Sequence, residues 1–578
     1  MLIVSIIILT IILTLLSVDS VMAIDLAKFT ERARMVINYA SEEAKRQKLS
    51  RVDTEHLLLG LLHEGQGIAV RALQEIDINL ETLETEVKEL VKKQSGSGDS
   101  TENNKEEGEI EFTKSAQKII ENSMEEAYKV KQDYVGTEHI LLGLLRSKKT
   151  EAARLLNEFE VTEEKIRQVL MPIGSIPANR QIPRFDKLRD GTQDATENIQ
   201  RDLDKAGEAG GEVFLPPGRY RLDGNLTIPP GVTLRGTWTS PHHARLNTGT
   251  VLLAYAGRDK ENDPPLISIS PNGTVQGLTI YYPEQTLEDI KPYPWTIQGR
   301  GMHNSIIDVT IVNPYKAIDI GSYHNELHYI RNVFGCPLKI GVYINNCTDI
   351  GRIENVHFNP HYWARDEGDG EPRPQGGKLI DYLLKEGRGF VFGRTDWEYV
   401  INTFCFGYKI GYHFIATEQG VCNGNFLGIG ADGTENAVFV EQSAPYGILI
   451  TNGEFVSMRA KDPVEIIVGP ENTGTISFNN CAFWGPANQI ARIAGDGFVS
   501  FLQCNFVYWD HAKKKAAAVE ATGGNVSVQN CNFQHDAKKI HLGSDVNSAI
   551  IRGNQMMGEI DITNESSGSV QIGFNVVY

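Results

Sequence analysis

The sequence predicts two unlike folding units in one chain: an all-α module built as a tandem duplication, then an all-β parallel β-helix. Three observations carry this. Phe29-Thr30-Glu31-Arg32-Ala33 recurs as Phe112-Thr113-Lys114-Ser115-Ala116, and TEHLLLGLL at 54–62 recurs as TEHILLGLL at 137–145, both at one and the same offset and without a gap. Toward the C-terminus the runs ISFNNCAF, VSFLQCNF and VSVQNCNF place Cys481, Cys504 and Cys531 at spacings of 23 and 27. Such spacing is what stacked coils require, because each coil lays its equivalent side chains on those of the coil below. Between the two patterns, MPIGSIPANRQIPRF is punctuated by Pro and Gly and marks a boundary. A chain of 578 residues is also too long for one compact core.

The elements follow in order. Residues 2–16 are almost wholly Ile, Leu, Val and Thr, and Val21-Met22-Ala23 offers a small-residue cleavage site, so residues 1–23 read as a secretory signal peptide. The run lacks a Lys/Arg start, which leaves an uncleaved N-terminal membrane anchor as the alternative. The chain is therefore expected to be secreted or exported to the cell envelope. Residues 24–93 and 112–172 form the two helical repeats, with apolar residues such as Ala33, Val36, Ile37 and Ala40 at helical spacing. The acidic, Gly/Ser-bearing stretch QSGSGDSTENNKEEGEIE at 94–111 cannot bury apolar surface and reads as a linker. A second linker spans 173–185, and the β-helix occupies 186–578.

The FTERA opening, the two TEH helices and the positions of Leu73 and Leu156 resemble the Clp N-terminal domain, the double helical repeat at the front of ClpC- and ClpA-type unfoldases. The resemblance covers nearly the whole helical block. It implies a module that docks proteins or peptides and, in ClpC-type members, phosphorylated arginine, with Glu55 and Glu138 engaging the guanidinium. A competing reading makes these glutamates part of helix caps, with Thr54 and Thr137 as the N-cap residues. No GxxxxGK[ST] loop occurs in the chain, so the ATPase that such modules serve is not encoded here.

In the β-helical part, residues 196–209 form an amphipathic helix with Ile199, Leu203 and Ala206 on one face, suited to plugging the open end of a solenoid. Gly210-Gly211, Pro216-Pro217-Gly218 and Pro229-Pro230-Gly231 then separate short strands. Val309, Val333 and Val356 extend the rungs upstream at spacings of 24 and 23, and an Asn series (Asn332, Asn355, Asn402, Asn425, Asn452, Asn480, Asn530) reads as a structural hydrogen-bonding ladder. All seven cysteines fall in this part and read as a small-residue interior ladder. The run from Asp190 to Gly236, DGTxDxTxxIQxxLDxAxxxGGxVxLPPGxYxLxxxLxIPxGVxLxG, resembles the opening of the pectate-lyase-like superfamily, which implies a right-handed parallel β-helix.

The richest stretch for chemistry sets His357, Asn359, His361, Trp363, Asp366 and Glu367 in one insertion, with Asp396, Trp397 and Glu398 about one coil later. Aromatic faces suit sugar C–H surfaces, and carboxylate, Asn and His suit hydroxyls, so His357, Asn359, His361, Trp363 and Trp397 are the expected substrate contacts. Were Asp396-Trp397-Glu398 extended, its two carboxylates would share a face with their Cα atoms ~6.5–7 Å apart, compatible with retaining or inverting glycoside hydrolysis, and Asp396 and Glu398 are the expected catalytic pair. Glu354, Asp432, Glu441 and Glu454 are the alternative acids. Neither the polygalacturonase set nor the Asp-rich calcium cluster of pectate lyases is visible as a whole, so hydrolase, lyase and inert scaffold stay open. No cofactor is called for, and no Cys/His spacing points to a metal. A formal charge of −18 and the lack of a dense Lys/Arg run exclude nucleic acid and anionic lipid as the main partner, and make a membrane relevant only through an uncleaved N-terminal segment. The expected partners are a polysaccharide or oligosaccharide for the β-helix and a peptide or protein for the helical repeats.

Overall fold

The computed structural model describes residues 29–47, 49, 51–65, 67–76, 78–95, 111–129, 134–173, 188–238, 245–366 and 368–578. The N-terminal apolar segment, nearly all of the acidic linker and nearly all of the 173–185 linker lie outside these. Two compact units are present, Met1–Gln181 and Ile182–Tyr578.

In the first unit the duplication is literal. Helices Glu31–Arg46, Thr54–Glu64, Ile68–Glu75 and Leu80–Ser95 are matched by Lys114–Lys129, Thr137–Arg146, Glu151–Glu158 and Glu163–Ile173, every start displaced by the offset that separates the two sequence motifs. Leu57, Leu58 and Leu61 of one repeat and Ile140, Leu141 and Leu144 of the other are fully buried in a shared core. The Gly in each TEH helix permits close packing: a Cβ on Gly60 would come within 2.4 Å of Val36 O, and one on Gly143 within 2.7 Å of Ile119 O. The repeats also trade backbone pairing. Phe29 bridges to Val135 while Val52 pairs with Phe112, and the Thr30 and Thr113 N–H groups donate to Val135 O and Val52 O at 3.0 and 2.9 Å.

The second unit begins with strand Asp190–Asp194 and helix Thr196–Gly207, which buries Ile199 and Leu203 against the first coils as the plug expected. Every strand pairing beyond it is parallel, most coils stacking in register on the last, with register shifts after Ala431 and within Val519–Gln529. One inward column runs Ile297, Ile318, Val342, Phe390, Tyr412, Val438, Ile466 and Ala491. Val309, Val333 and Val356 are direct partners on adjoining coils, as their spacing predicted. So are Phe483, Phe506 and Phe533, whose rings stack at 5.4 and 4.6 Å. All seven cysteines are buried and unbridged. Asn554 takes the place of cysteine in the next coil, its Oδ1 accepting from the Cys531 N–H at 2.9 Å.

The asparagine ladder sits at a left-handed bend. Asn332, Asn355, Asn402, Asn452, Asn480 and Asn530 have φ between 52° and 58°, a conformation that Asn tolerates better than other side chains. Their amides chain from coil to coil, Asn355 to Asn332 at 2.9 Å and Asn480 to Asn452 at 2.8 Å. Asn425 is not a member, contrary to its spacing. It lies inside strand Gly424–Leu427, and Gly428, with φ of 63°, takes the bend instead.

Candidate functional site

The structure separates the two carboxylates that an extended Asp396-Trp397-Glu398 would have aligned. Trp397 has φ of +61°, so the alternation of faces fails at that residue. Asp396 is exposed, while Glu398 is fully buried inside the solenoid. There its Oε1 meets His328 Nε2 at 2.9 Å, and His328 Nδ1 meets Asn325 Oδ1 at 3.0 Å. Burial depresses His328, but the Glu398 carboxylate and the Cys347 thiol together outweigh it and lift the imidazole to about 10. One donor atom each from His328, Cys347 and Glu398 lies within 4.8 Å of the other two, and these three could hold a metal ion. As an acid/base pair facing substrate, Asp396 and Glu398 are therefore displaced, because one left-handed residue turns Glu398 into the core.

The other predicted contacts divide. Trp363 is only 2% exposed and packs in the main hydrophobic core, so it is a structural residue and not a sugar platform. Asn359 accepts from the His361 N–H at 2.9 Å, fixing the start of the short helix His361–Ala364. Trp397 is half-buried, its N–H held by Asn423 Oδ1 at 2.8 Å. His357 packs edge-on against Phe404 at 5.2 Å, and exposed His361 lies over Phe406 at 6.4 Å.

Those last two histidines border a constellation on the solenoid flank that does face solvent. His357, Phe404, Gly430 and Glu454 occupy one register column on four successive coils, and Phe406 pairs with Asp432 in the column beside it. Asp432 is half-buried and its Oδ1 is enclosed without a hydrogen-bond partner. Burial first, and the Glu454 carboxylate second, push the Asp432 carboxyl above the ordinary aspartate range. Glu454 is exposed and accepts from the Trp484 indole N–H at 3.0 Å, with Trp484 itself 40% exposed. Glu454 pairs with Gly430, two residues before Asp432, and the ladder slips register between Ala431 and Thr434, so Asp432 sits at a bulge beside Glu454. Gly430 keeps this surface open, since a Cβ there would meet the Phe404 ring at 2.6 Å. Of the other acids, Glu354 is held by the Tyr329 hydroxyl and Glu441 by His413, each at 2.8 Å. Phe404, Phe406 and Trp484 escape a reading of sequence motifs. Their signal is register: Gly430 and Glu454 stand one coil apart in the same column, so Gly430-x-Asp432 and Glu454 must be neighbours.

In the helical unit Glu55 and Glu138 are 2% and 3% exposed. The helix N-caps are Asp53 and Gly136, and Thr54 and Thr137 are first helical residues, which corrects the expected caps. His56 and His139 complete each helix start by accepting the Asp53 and Gly136 N–H groups on Nδ1 at 3.1 and 2.9 Å. Glu138, its carboxyl raised by burial, lines a cavity of about 400 Å³ together with Thr30, Arg32, Arg71, Tyr134 and Thr137. Glu55 does not line it.

Comparison with known proteins bears on the first unit. Residues 28–159 and 111–210 match the Clp repeat (R) N-terminal domain family. The negative regulator of genetic competence ClpC/MecB of Bacillus subtilis is 42% identical over 182 residues, covering 30% of this chain and 21% of that protein. The chain spans only about a fifth of the length of such curated relatives. For the solenoid, the A-module of the mannuronan C-5 epimerase AlgE4 of Azotobacter vinelandii aligns with 68% of this chain and 97% of its own, at 14% identity and a TM-score of 0.38. The N-terminal fragment of bacteriophage Phi29 gene product 12 aligns with 67% of this chain and 69% of its own, at 13% identity and a TM-score of 0.42. The N-terminal unit is thus a Clp repeat domain, and the second unit is a parallel β-solenoid.

Proposed function

We propose that the chain is an exported carbohydrate-active protein whose solenoid flank hydrolyses a glycan, and whose Clp repeat domain docks a protein or peptide partner. The observation that carries the catalytic half is the juxtaposition of Asp432 and Glu454 on adjoining coils, between the His361/Phe406 stack and Trp484. A raised, half-buried carboxyl beside an exposed carboxylate is the division of labour that glycoside cleavage needs, one group giving a proton and the other activating water. Inversion needs the two carboxyl groups ~6.5–9.5 Å apart so that this water fits between them, and it is the stereochemical course we propose. Asp432 is then the general acid and Glu454 the general base. Aromatic rings on either side along the rod axis supply stacking faces for consecutive sugar rings. For the helical unit, the cavity bearing Glu138, Arg32 and Arg71 presents both charges to a peptide.

The test is reducing-sugar release from a panel of neutral and acidic glycans, read beside ultraviolet absorbance for unsaturated lyase products. Asp432→Asn and Glu454→Gln should each lower turnover by ~10²-fold or more while leaving glycan binding and folding close to wild type. Wild-type turnover in both variants would remove this pair from the mechanism. Glycan binding without any turnover by the parent chain would leave a non-catalytic glycan-binding scaffold in place of the hydrolase.

A further inference from the structure

Inside the solenoid, away from the flank, three donors of different chemistry converge from three successive coils. His328, Cys347 and Glu398 are each 0% exposed, and one ligand atom from each lies within 4.8 Å of the others. Burying a carboxylate, an imidazole and a thiol together is costly unless something binds them. The hydrogen bonds present do not complete the account, since Glu398 Oε2 is enclosed with no partner. The imidazole is held as a metal ligand's ring is held. Asn325 Oδ1 faces His328 Nδ1 at 3.0 Å, and the Asn325 amide cannot turn, because its Nδ2 donates to Ile320 O and Asn345 O at 3.0 and 2.8 Å. Nδ1 therefore carries a proton toward Asn325, and Nε2 points at Glu398. Fixing of the remote ring N–H by a carbonyl oxygen is how proteins orient a ligating histidine.

We propose that His328 Nε2, Cys347 Sγ and the Glu398 carboxylate bind one divalent transition-metal ion of the zinc class within the solenoid. Mixed N, S and O donors suit zinc or cobalt and disfavour magnesium and calcium. The ion would enter with loss of two protons, the thiol proton of Cys347 and the proton shared between His328 and Glu398. A thiolate and a carboxylate then balance its two positive charges, so the filled core is neutral. The unpartnered Oε2 completes the coordination by making Glu398 bidentate. Cys347 Sγ at present donates to Asp349 O at 3.0 Å and lies 3.8 Å from His328 Nδ1; ligation requires it to leave that carbonyl and turn toward Nε2, with the donors drawn to within ~3.5–4 Å of one another. The ion would tie together coils whose donors lie far apart in the chain, Cys347 and Glu398 most of all, which is why no short Cys/His motif announces them. That second interval is long because helix Gly376–Glu386 is inserted in the coil.

The experiment refolds the full chain in zinc or cobalt(II), removes free ion, and measures bound metal. One ion per chain is expected, with a thiolate-to-cobalt charge-transfer band and a thermal transition of the tryptophan signal that drops when refolding is done with chelator. Cys347→Ser should lose the band, and Glu398→Gln should lose bound metal. No retained metal in the folded wild type overturns the proposal, as does an undiminished band in folded Cys347→Ser. Should a variant fail to fold, X-ray absorption at the zinc edge of the wild type decides: one sulfur with nitrogen and oxygen neighbours supports the site. A sulfur-rich shell places the ion on the Cys481, Cys504 and Cys531 ladder and sinks the proposal.

Discussion

His139 shows how one side chain fixes the chemistry of its neighbourhood. It is 1% exposed, and its Nδ1 must stay unprotonated to accept the Gly136 N–H, so burial depresses it to about 4. An unfolded imidazole titrates near 6.5, and the gap corresponds to ~3 kcal/mol. Because the folded value lies below the unfolded one, the stability is complete above pH 6.5 and is lost as pH falls from there toward 4. His56, depressed by burial in the same position of the other repeat, adds to the trend. All six tryptophans lie at or beyond Trp238, so far-ultraviolet helicity reports the first unit and indole fluorescence the second. Helicity should fall with acid across that window, and His139→Gln, which keeps an acceptor but does not titrate, should flatten the profile. An unchanged profile would show that His139 is not the titrating group. At this scale the sequence was legible only in part. His357 and His361 do border the flank site, but Glu398 was misplaced because a left-handed residue at Trp397 leaves no mark in composition or spacing. Asp432 and Glu454 were visible only as members of a set of acids, since what unites them is register.

Single strands here are two to five residues in many coils, too short to be stable alone, and the coil-to-coil column is the element that holds. Phe506 lies between Phe483 and Phe533 with no exposure, so Phe506→Ala should open a gap that neither ring can fill and cost ~3–5 kcal/mol. Urea unfolding followed by tryptophan fluorescence measures it, and a loss below ~1 kcal/mol would mean that the column relaxes around the gap. Columns of this kind are what a sequence reveals best. Stacking demands the same side chain at the same rung, so Val309, Val333 and Val356, or the three Cys-x-Phe steps, repeat visibly. The ladder misleads where another residue does the same job. Gly428 and Gly553 adopt the left-handed bend as readily as Asn, and the neighbouring Asn425 and Asn554 then belong to other columns.

The whole molecule was legible as two units because each is a repeat, one a helical module taken twice and one a coil taken many times. Chemistry was less legible, since a parallel solenoid offers every coil the same flank and a working site depends on which side chains break the pattern. In the helical unit the repeat has a further consequence. Phe29 reaches Val135 and Val52 reaches Phe112, so each half supplies the strand partner that the other lacks, and the two contacts are equivalent under the shift that carries one repeat onto the other. Such an interface is self-complementary, the kind that closes a pair about a twofold axis. The first repeat alone, residues 24–93, would keep Phe29 and Val52 but lose both partners, and a second copy presents the same two segments in their place. Sedimentation of that fragment should show a symmetric dimer, and a folded monomer would contradict it.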